Sequence, residues 1–384
     1  MKSKTPLLYI LAGFLAVNIA DAQKTSHSFS KQKAGWHFSV GARVVSKGAS
    51  VEFENLGTVP ERSSGLYDNG FVNADELRSD EPDPPSGERY QTFDDDGVQI
   101  GDFLSFNENQ TRSWGYNDAD QVEGNKIKMN SYSSVTTGAA TEADSSLAGG
   151  FEVQLSKVFF QVNRRVQVSM MGSLGLTDIS VRSSGRIAAT LNTRTDTYGL
   201  LGTEVPSAPY FAPSFEDIEN DEGNIITRET TIPLSQSPEE PEESETLPGA
   251  AVVDGDWEVD GAYVSFRLGP MVHVQLTDIF QVSMSAGVSA HFAGTQFKYR
   301  EQLVELDTTV SRDVVSSNED VTTETMFGYF VEANIESWLN EKAGFFLGVH
   351  YEAVGDYEQE LDGRVARIDL GGSAGIRGGM IFRF

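Results

Sequence analysis

Eight stretches of this chain alternate apolar and polar residues with a period of two, the mark of a strand whose faces meet different surroundings. The clearest sets Phe280, Val282, Met284, Ala286, Val288, Ala290 and Phe292 against Gln281, Ser283, Ser285, Gly287, Ser289 and His291. The others centre on 36–44, 151–155, 166–176, 264–274, 327–335, 345–353 and 370–384. Each suits the roughly 9–11 residues of a tilted membrane-crossing strand. Pro270 lacks the N–H that a central strand uses, which predicts a bulge or a strand end there.

The connections alternate between long and short. Long ones at 46–149 and 183–258 follow the first and third segments, and tight turns at 163–165, 277–278 and 340–342 follow the second, fourth and sixth. This asymmetry predicts an all-β chain: an antiparallel up-and-down transmembrane β-barrel of eight strands, with short periplasmic turns and long extracellular loops. Loop segments 98–106, 126–133 and 186–198 also carry strand pattern and are expected to extend the barrel above the membrane or to form a small cap; two of them pairing within the bilayer would give ten strands. A soluble β-sandwich is the competing architecture. The polar parity argues against it, because it holds charges of both signs that a narrow closed lumen can pair: Arg43, Glu152, Arg267, Glu332, Glu336, Glu352 and Arg377, with His291 and His350. Aromatic residues gather at segment ends, Trp36, Phe280, Trp338 and Phe345 near the short turns and Phe292, Tyr351 and Tyr357 near the long loops. That is the pattern of two interfacial girdles.

Residues 1–22 read as a secretory signal peptide. Lys2 and Lys4 precede a short apolar core, and Ala20-Asp21-Ala22 supplies the cleavage site. Residues 23–34 form a periplasmic leader, and 35–384 the barrel with its loops. Cysteine is absent, which excludes disulfides and thiolate chemistry. The formal charge of −28 speaks against nucleic-acid binding, which needs clustered cations.

Arg377-x-Gly379-x-x-Phe382-x-Phe384 resembles the C-terminal β-signal of Gram-negative outer-membrane proteins. The resemblance implies a small outer-membrane barrel, whose last strand is read by the barrel-assembly machinery. It covers the strands and not the loops. A second likeness lies in the first loop, where Tyr67-Asp68-Asn69-Gly70, Ser113-Trp114-Gly115-Tyr116 and Gln121-Val122-x-Gly124 resemble strings in uncharacterised barrel proteins of environmental bacteria. It implies no activity.

Loop 46–149 carries 20 acidic and 7 basic residues, and loop 183–258 carries 16 and 3, so the external face is strongly anionic. Pro/Glu runs at 80–85 and 237–245 have a disordered composition. Asp94, Asp95 and Asp96 are weak candidates for a divalent cation bridging to lipopolysaccharide. The plainer reading is solvated charge that opposes aggregation, and no metal or cofactor is expected. Asp254-x-Asp256-x-Glu258-x-Asp260 superficially resembles a calcium loop, but Arg267 stands where its twelfth-position Glu belongs. Some small outer-membrane barrels cut acyl chains with Ser, His and a carboxylate, which makes His291 and His350 the candidates for a lipid-A-modifying hydrolase. Both point to the lumen instead of the lipid, and no nucleophile elbow or zinc helix is present. The reading is therefore non-enzymatic: a barrel displaying anionic loops to an extracellular ligand, with contacts carried by aromatics such as Trp114, Tyr116, Tyr210 and Phe211. A narrow porin-like solute channel is the alternative.

Overall fold

The computed structural model describes residues 35–46, 48–73, 89–105, 109–145, 147–239, 243–306 and 315–384. The signal peptide, the leader, the run at 80–85 and part of the run at 237–245 lie outside the described residues. Eight strands form the wall: β1 (Trp36–Ser46), β2 (Leu147–Gln161), β3 (Val166–Gly199), β4 (Glu243–Gln275), β5 (Phe280–Leu306), β6 (Val315–Trp338), β7 (Ala343–Ala353) and β8 (Ser373–Arg383). Each pairs antiparallel with its neighbour, and β8 returns to β1, closing the ring with Val40 opposite both Met380 and Val153. Closure leaves no strand edge within the ring, the condition for crossing a bilayer with strands.

The three short turns share one device. Asn163 Oδ1 accepts the N–H of Arg165 and Val166 at 2.8 and 2.9 Å, Asn340 Oδ1 does the same for Lys342 and Ala343, and Thr277 Oγ1 accepts from Phe280 at 3.0 Å. These side chains satisfy backbone donors that a tight reversal would otherwise orphan.

The alternation read from sequence sorts the side chains by face. Val288, Phe327 and Val349 point outward and are more than half exposed, whereas Arg267 and Glu332 point inward and are 2% and 1% exposed. Above the outer belt the chemistry of the faces inverts while the parity stays the same. In β5 the inward residues change from Ser289 and His291 to Ala293, Phe297 and Leu303, and the outward ones from Val288 and Phe292 to Gln296, Lys298 and Arg300. The same change occurs in β3 after Thr177 and in β4 before Tyr263. Thr177, Tyr263 and Ala293 lie side by side in register. Three adjacent strands thus switch at one row, which marks the upper limit of the apolar belt. Above it, the outer face meets water and the inner face packs on protein.

Strands of 34, 33, 27 and 24 residues (β3 to β6) follow from that extension. Much of what the polarity of 183–258 assigned to a loop is therefore wall: 183–199 continues β3 and 243–258 continues β4. The stretch 293–324 is also largely wall. The ten-stranded alternative does not form. Strand Lys126–Val135 pairs with 190–199, on the distal part of β3, and never enters the ring. Pro270 makes neither a bulge nor an end, since β4 keeps one register with β5 from Leu268 opposite Val288 to Met271 opposite Ser285.

The mouth of the ring is filled by a four-stranded sheet made of Thr141–Asp144, Ser50–Glu54, Arg364–Asp369 and Asp356–Leu361. Val51, Phe53, Ala366, Ile368 and Leu361 from this cap pack against Val181, Trp257, Val259, Phe297 and Tyr299 of the wall. Each fully buried large apolar side chain contributes about 1.5–3 kcal/mol, so the cap is held as a true core.

Candidate functional site

Six of the sequence-predicted lumen residues converge in the membrane-level part of the ring. Arg267 reaches all three nearby carboxylates: Nη1 lies 3.1 Å from Glu332 Oε2, Nε lies 3.3 Å from Glu352 Oε1, and Nη2 contacts Glu152. Arg377 Nη1 pairs with Glu152 at 2.9 Å and with Glu332, and Arg43 Nη1 lies 3.5 Å from Glu352. Three guanidiniums thus face three carboxylates, the pairing that burial of charge requires. Neutral partners join the cluster, with Arg43 Nε donating to Thr177 Oγ1 at 2.7 Å and Arg267 Nε to Ser173 Oγ at 2.9 Å. Space for the long side chains comes from Gly175, where a Cβ would stand 3.2 Å from Arg43 Cζ and 2.8 Å from Ser265 Oγ.

Glu336 does not join this cluster. It lies nearer the short turns, 3.8 Å from His273 Nδ1, beside His37, whose ring centre is 5.2 Å from that of His273. His273 Nε2 is 2.9 Å from Ser169 Oγ, and His273 Nδ1 is 2.8 Å from Gln281 Nε2. Gln281 Nε2 can only donate, so His273 Nδ1 accepts there and its Nε2–H faces Ser169 Oγ, the reverse of what a general base needs. Glu336, at 3.8 Å, stands beyond hydrogen-bond distance. His273 and Glu336 border a lumen cavity of about 10 Å³, room for one water and no acyl chain. His291 and His350 flank the charged cluster, His291 with its ring 5.5 Å from Tyr263, and neither lies within hydrogen-bond reach of a serine hydroxyl. Trp338 and Tyr357 are not in an outer girdle. Trp338 shares the parity of Glu332 and Glu336, points inward and lies over the Arg383 guanidinium at 3.7 Å, and Tyr357 is buried in the cap. Trp36, Phe292, Phe345 and Tyr351 do face outward.

Of the terminal-strand residues, Arg377 belongs to the charged cluster, Gly379 pairs with Gly41, Phe382 stacks on Phe38 at 6.4 Å and Phe384 is exposed.

A second buried ion pair went unread in the sequence. In the mouth, Arg364 Nε and Nη2 lie 3.0 and 2.6 Å from Glu301 Oε2, while Glu301 Oε1 accepts from Trp257 Nε1 at 2.9 Å and from the Gly57 N–H at 2.8 Å. The Arg364 guanidinium also stacks on Tyr299 at 3.9 Å. This pair ties the 356–369 hairpin to β5. Its available signal was Glu301 itself, a lone charge on the otherwise apolar inner parity Phe297, Tyr299, Leu303.

Beyond the cap the two long loops fold together. Tyr210–Phe211 pairs with Trp114–Tyr116, Ile225–Glu229 pairs in parallel with Gln99–Leu104, and Leu234–Ser235 pairs with Gln110–Thr111, each joining the second loop to the first. Their shared core holds Trp114, Tyr116, Ile127, Met129, Tyr198, Leu200 and Leu234. Trp114 Nε1 donates to the Ile232 carbonyl at 2.8 Å, and Tyr67 Oη to Asp196 at 2.6 Å. The three strings of the first loop form the centre of this head. Asp68 Oδ2 accepts the Tyr132 N–H at 2.7 Å, Gly70 pairs with Tyr116, and Gln121 Oε1 accepts from Asn117 and Asp118 at 3.0 Å each. Gly124 takes the left-handed φ of +64° in the turn that follows. Trp114 and Tyr116 are therefore core residues, closed to a partner, whereas Phe211 is 56% exposed. Asp94, Asp95 and Asp96 sit at an exposed hairpin tip where Asp94 Oδ1 accepts the N–H of Asp96 and Val98 at 3.0 and 2.8 Å, a turn-forming role. Asp254, Asp256, Glu258 and Asp260 lie along extended strand β4, with Asp256 3.3 Å from Arg182, and form no loop.

A closed antiparallel ring, apolar outside over one belt and filled with paired charge inside, is an eight-stranded transmembrane β-barrel of the outer-membrane type. No protein-family model and no curated protein matches the chain. Among solved structures it is similar to the outer-membrane protein OprG of Pseudomonas aeruginosa (9% identity, 92% of this chain and 97% of that one, TM-score 0.31). It is also similar to the outer-membrane protease OmpT of Escherichia coli (7%, 94% and 100%, 0.26) and to Ail, the attachment invasion locus protein of Yersinia pestis (9%, 92% and 100%, 0.23). TM-scores this low identify no family and assign no activity.

Proposed function

We propose that this chain is a non-enzymatic surface-display protein: a plugged outer-membrane barrel that holds up an anionic head for contact with the envelope or an extracellular ligand. The observation that carries this reading is the joint folding of two distant loops into one buried core above a filled lumen. Loops that served only as a rim would not need cross-loop strand pairing at three places. The alternative, a narrow solute channel, finds no support in a ring blocked first by three ion-paired arginines and then by an apolar cap. The hydrolase reading fares no better, because neither His291 nor His350 reaches a serine hydroxyl and His273 borders a cavity too small for an acyl chain. Outer-membrane lipid and lipopolysaccharide surround the belt on this reading, and the barrel-assembly machinery reads the terminal strand through Arg377, Gly379, Phe382 and Phe384.

Because the chain lacks cysteine, single introduced thiols test the topology. Asp221→Cys at the head should react with a membrane-impermeant maleimide on intact cells, and Glu341→Cys in a short turn only after lysis; the reverse would contradict display. Purified protein in planar bilayers should give no unitary conductance steps, and reproducible steps would return the channel reading.

A further inference from the structure

The head contains a four-stranded sheet in the order Phe215–Glu219, Ile225–Glu229, Gln99–Leu104, Arg89–Phe93, so Phe215–Glu219 has a strand neighbour on one side only among the described residues. Across its hairpin the Thr230 N–H donates to the Ser214 carbonyl at 2.8 Å and the Asn220 N–H to the Asn224 carbonyl at 2.9 Å. With Phe215 opposite Glu229 and Glu219 opposite Ile225, the even-numbered residues of the edge strand hold the bonds to the hairpin partner. The N–H and C=O of Phe215, Asp217 and Glu219 therefore point away from the sheet, while the side chains of the same three residues share one face. Phe215 is half exposed, with its ring 6.4 Å from Phe103, which lies 5.7 Å from Tyr90. Glu216, Asp217 and Glu219 are exposed, and residues 215–229 hold six carboxylates against Arg228 alone.

We propose that this edge binds an extended cationic peptide segment by strand addition. The outward amide groups supply affinity for a peptide backbone, and the carboxylates of Asp217 and Glu219 select Lys or Arg two residues apart, with an apolar or aromatic side chain opposite Phe215. A free edge of this kind invites pairing, and its charge rejects both another copy of itself and any anionic strand. The partner assignment rests on the display reading for its biological setting, though the binding chemistry does not.

The test uses the full-length protein in detergent micelles and a fluorescent peptide of about twelve residues, alternating Lys and Thr around one Phe, followed by anisotropy. The same peptide N-methylated at alternate residues serves as control. The unmodified peptide binds and the methylated one does not. Asp217→Asn weakens binding about two- to threefold. Asp217→Pro removes an outward N–H without touching the ladder and weakens binding at least tenfold. Equal binding of the methylated peptide, or unchanged affinity in Asp217→Pro, would reduce the interaction to nonspecific charge attraction and overturn the proposal. Dimerisation of the protein that is lost in Asp217→Pro would overturn it in favour of self-pairing. Peptide binding in micelles with no labelling of Asp221→Cys on cells would sink display alone, and labelling without binding would sink only this inference.

Discussion

Arg267→Leu is expected to destabilise the barrel by about 3–5 kcal/mol, because breaking a buried pair leaves an uncompensated charge in the interior. Arg267 is the one guanidinium that touches Glu152, Glu332 and Glu352 together. Without it three buried carboxylates share Arg43 and Arg377. The check is urea-induced unfolding in lipid vesicles, followed by tryptophan fluorescence, or the temperature at which the folded band is lost on gels. The paired variant Arg267→Met with Glu352→Gln keeps charge balanced and should recover most of the loss, since apolar or neutral isosteres of a buried pair are often tolerated. A single variant as stable as the parent would mean the cluster is hydrated and open. That result would also weaken the case against a channel.

The mouth latch should respond differently. Arg364→Met leaves Glu301 buried with only Trp257 and the Gly57 N–H as donors, at a cost of about 3–5 kcal/mol. The loss falls on the cap and not on the ring, because the latch joins β5 to a hairpin outside the wall. Protease added to the folded variant is expected to cut within 356–369 while the membrane-embedded core still migrates as a folded species. Adding Glu301→Gln should restore much of the protection. If the hairpin of Arg364→Met stays as resistant as in the parent, apolar packing alone holds the cap and the latch has been overvalued.

How much of this was legible in the sequence follows from what each segment touches. In the belt, lipid on one side and paired charge on the other impose a clean period of two, so β1, β2, β7 and β8 and the lower parts of β3 to β6 could be read directly, as could the six charges of the cluster. Higher up, the outward residues of β5 become Gln296, Lys298 and Arg300 and the inward ones Phe297 and Leu303. A reading that expects apolar residues on the lipid parity takes that inversion for the start of a loop. The head was hidden for another reason. Its core unites Tyr67, Trp114, Tyr198 and Leu234, and no local periodicity encodes a contact between segments more than a hundred residues apart. Acidic, Pro-rich composition marks only the runs 80–85 and 237–245 as disordered, whereas the strand pattern at 98–106, 126–133 and 186–198 is legible and those segments do form strands. Trp114 and Tyr116 seemed suited to a partner because aromatic residues in a polar loop usually are; here they are what the loop folds around. Trp338 was misplaced by proximity to a turn, although its parity already put it inside.

Everything rests on which side of the wall the polar parity faces, and spin labels on single cysteines introduced along 281–292 measure that. At Met284, Val288 and Phe292 the label should be accessible to oxygen dissolved in lipid and shielded from a water-soluble nickel complex. At Ser283, Ser285 and Ser289 it should be shielded from both. A soluble sandwich would instead show the serine positions open to the nickel complex and the apolar positions closed to oxygen and nickel alike, and that pattern would contradict the barrel.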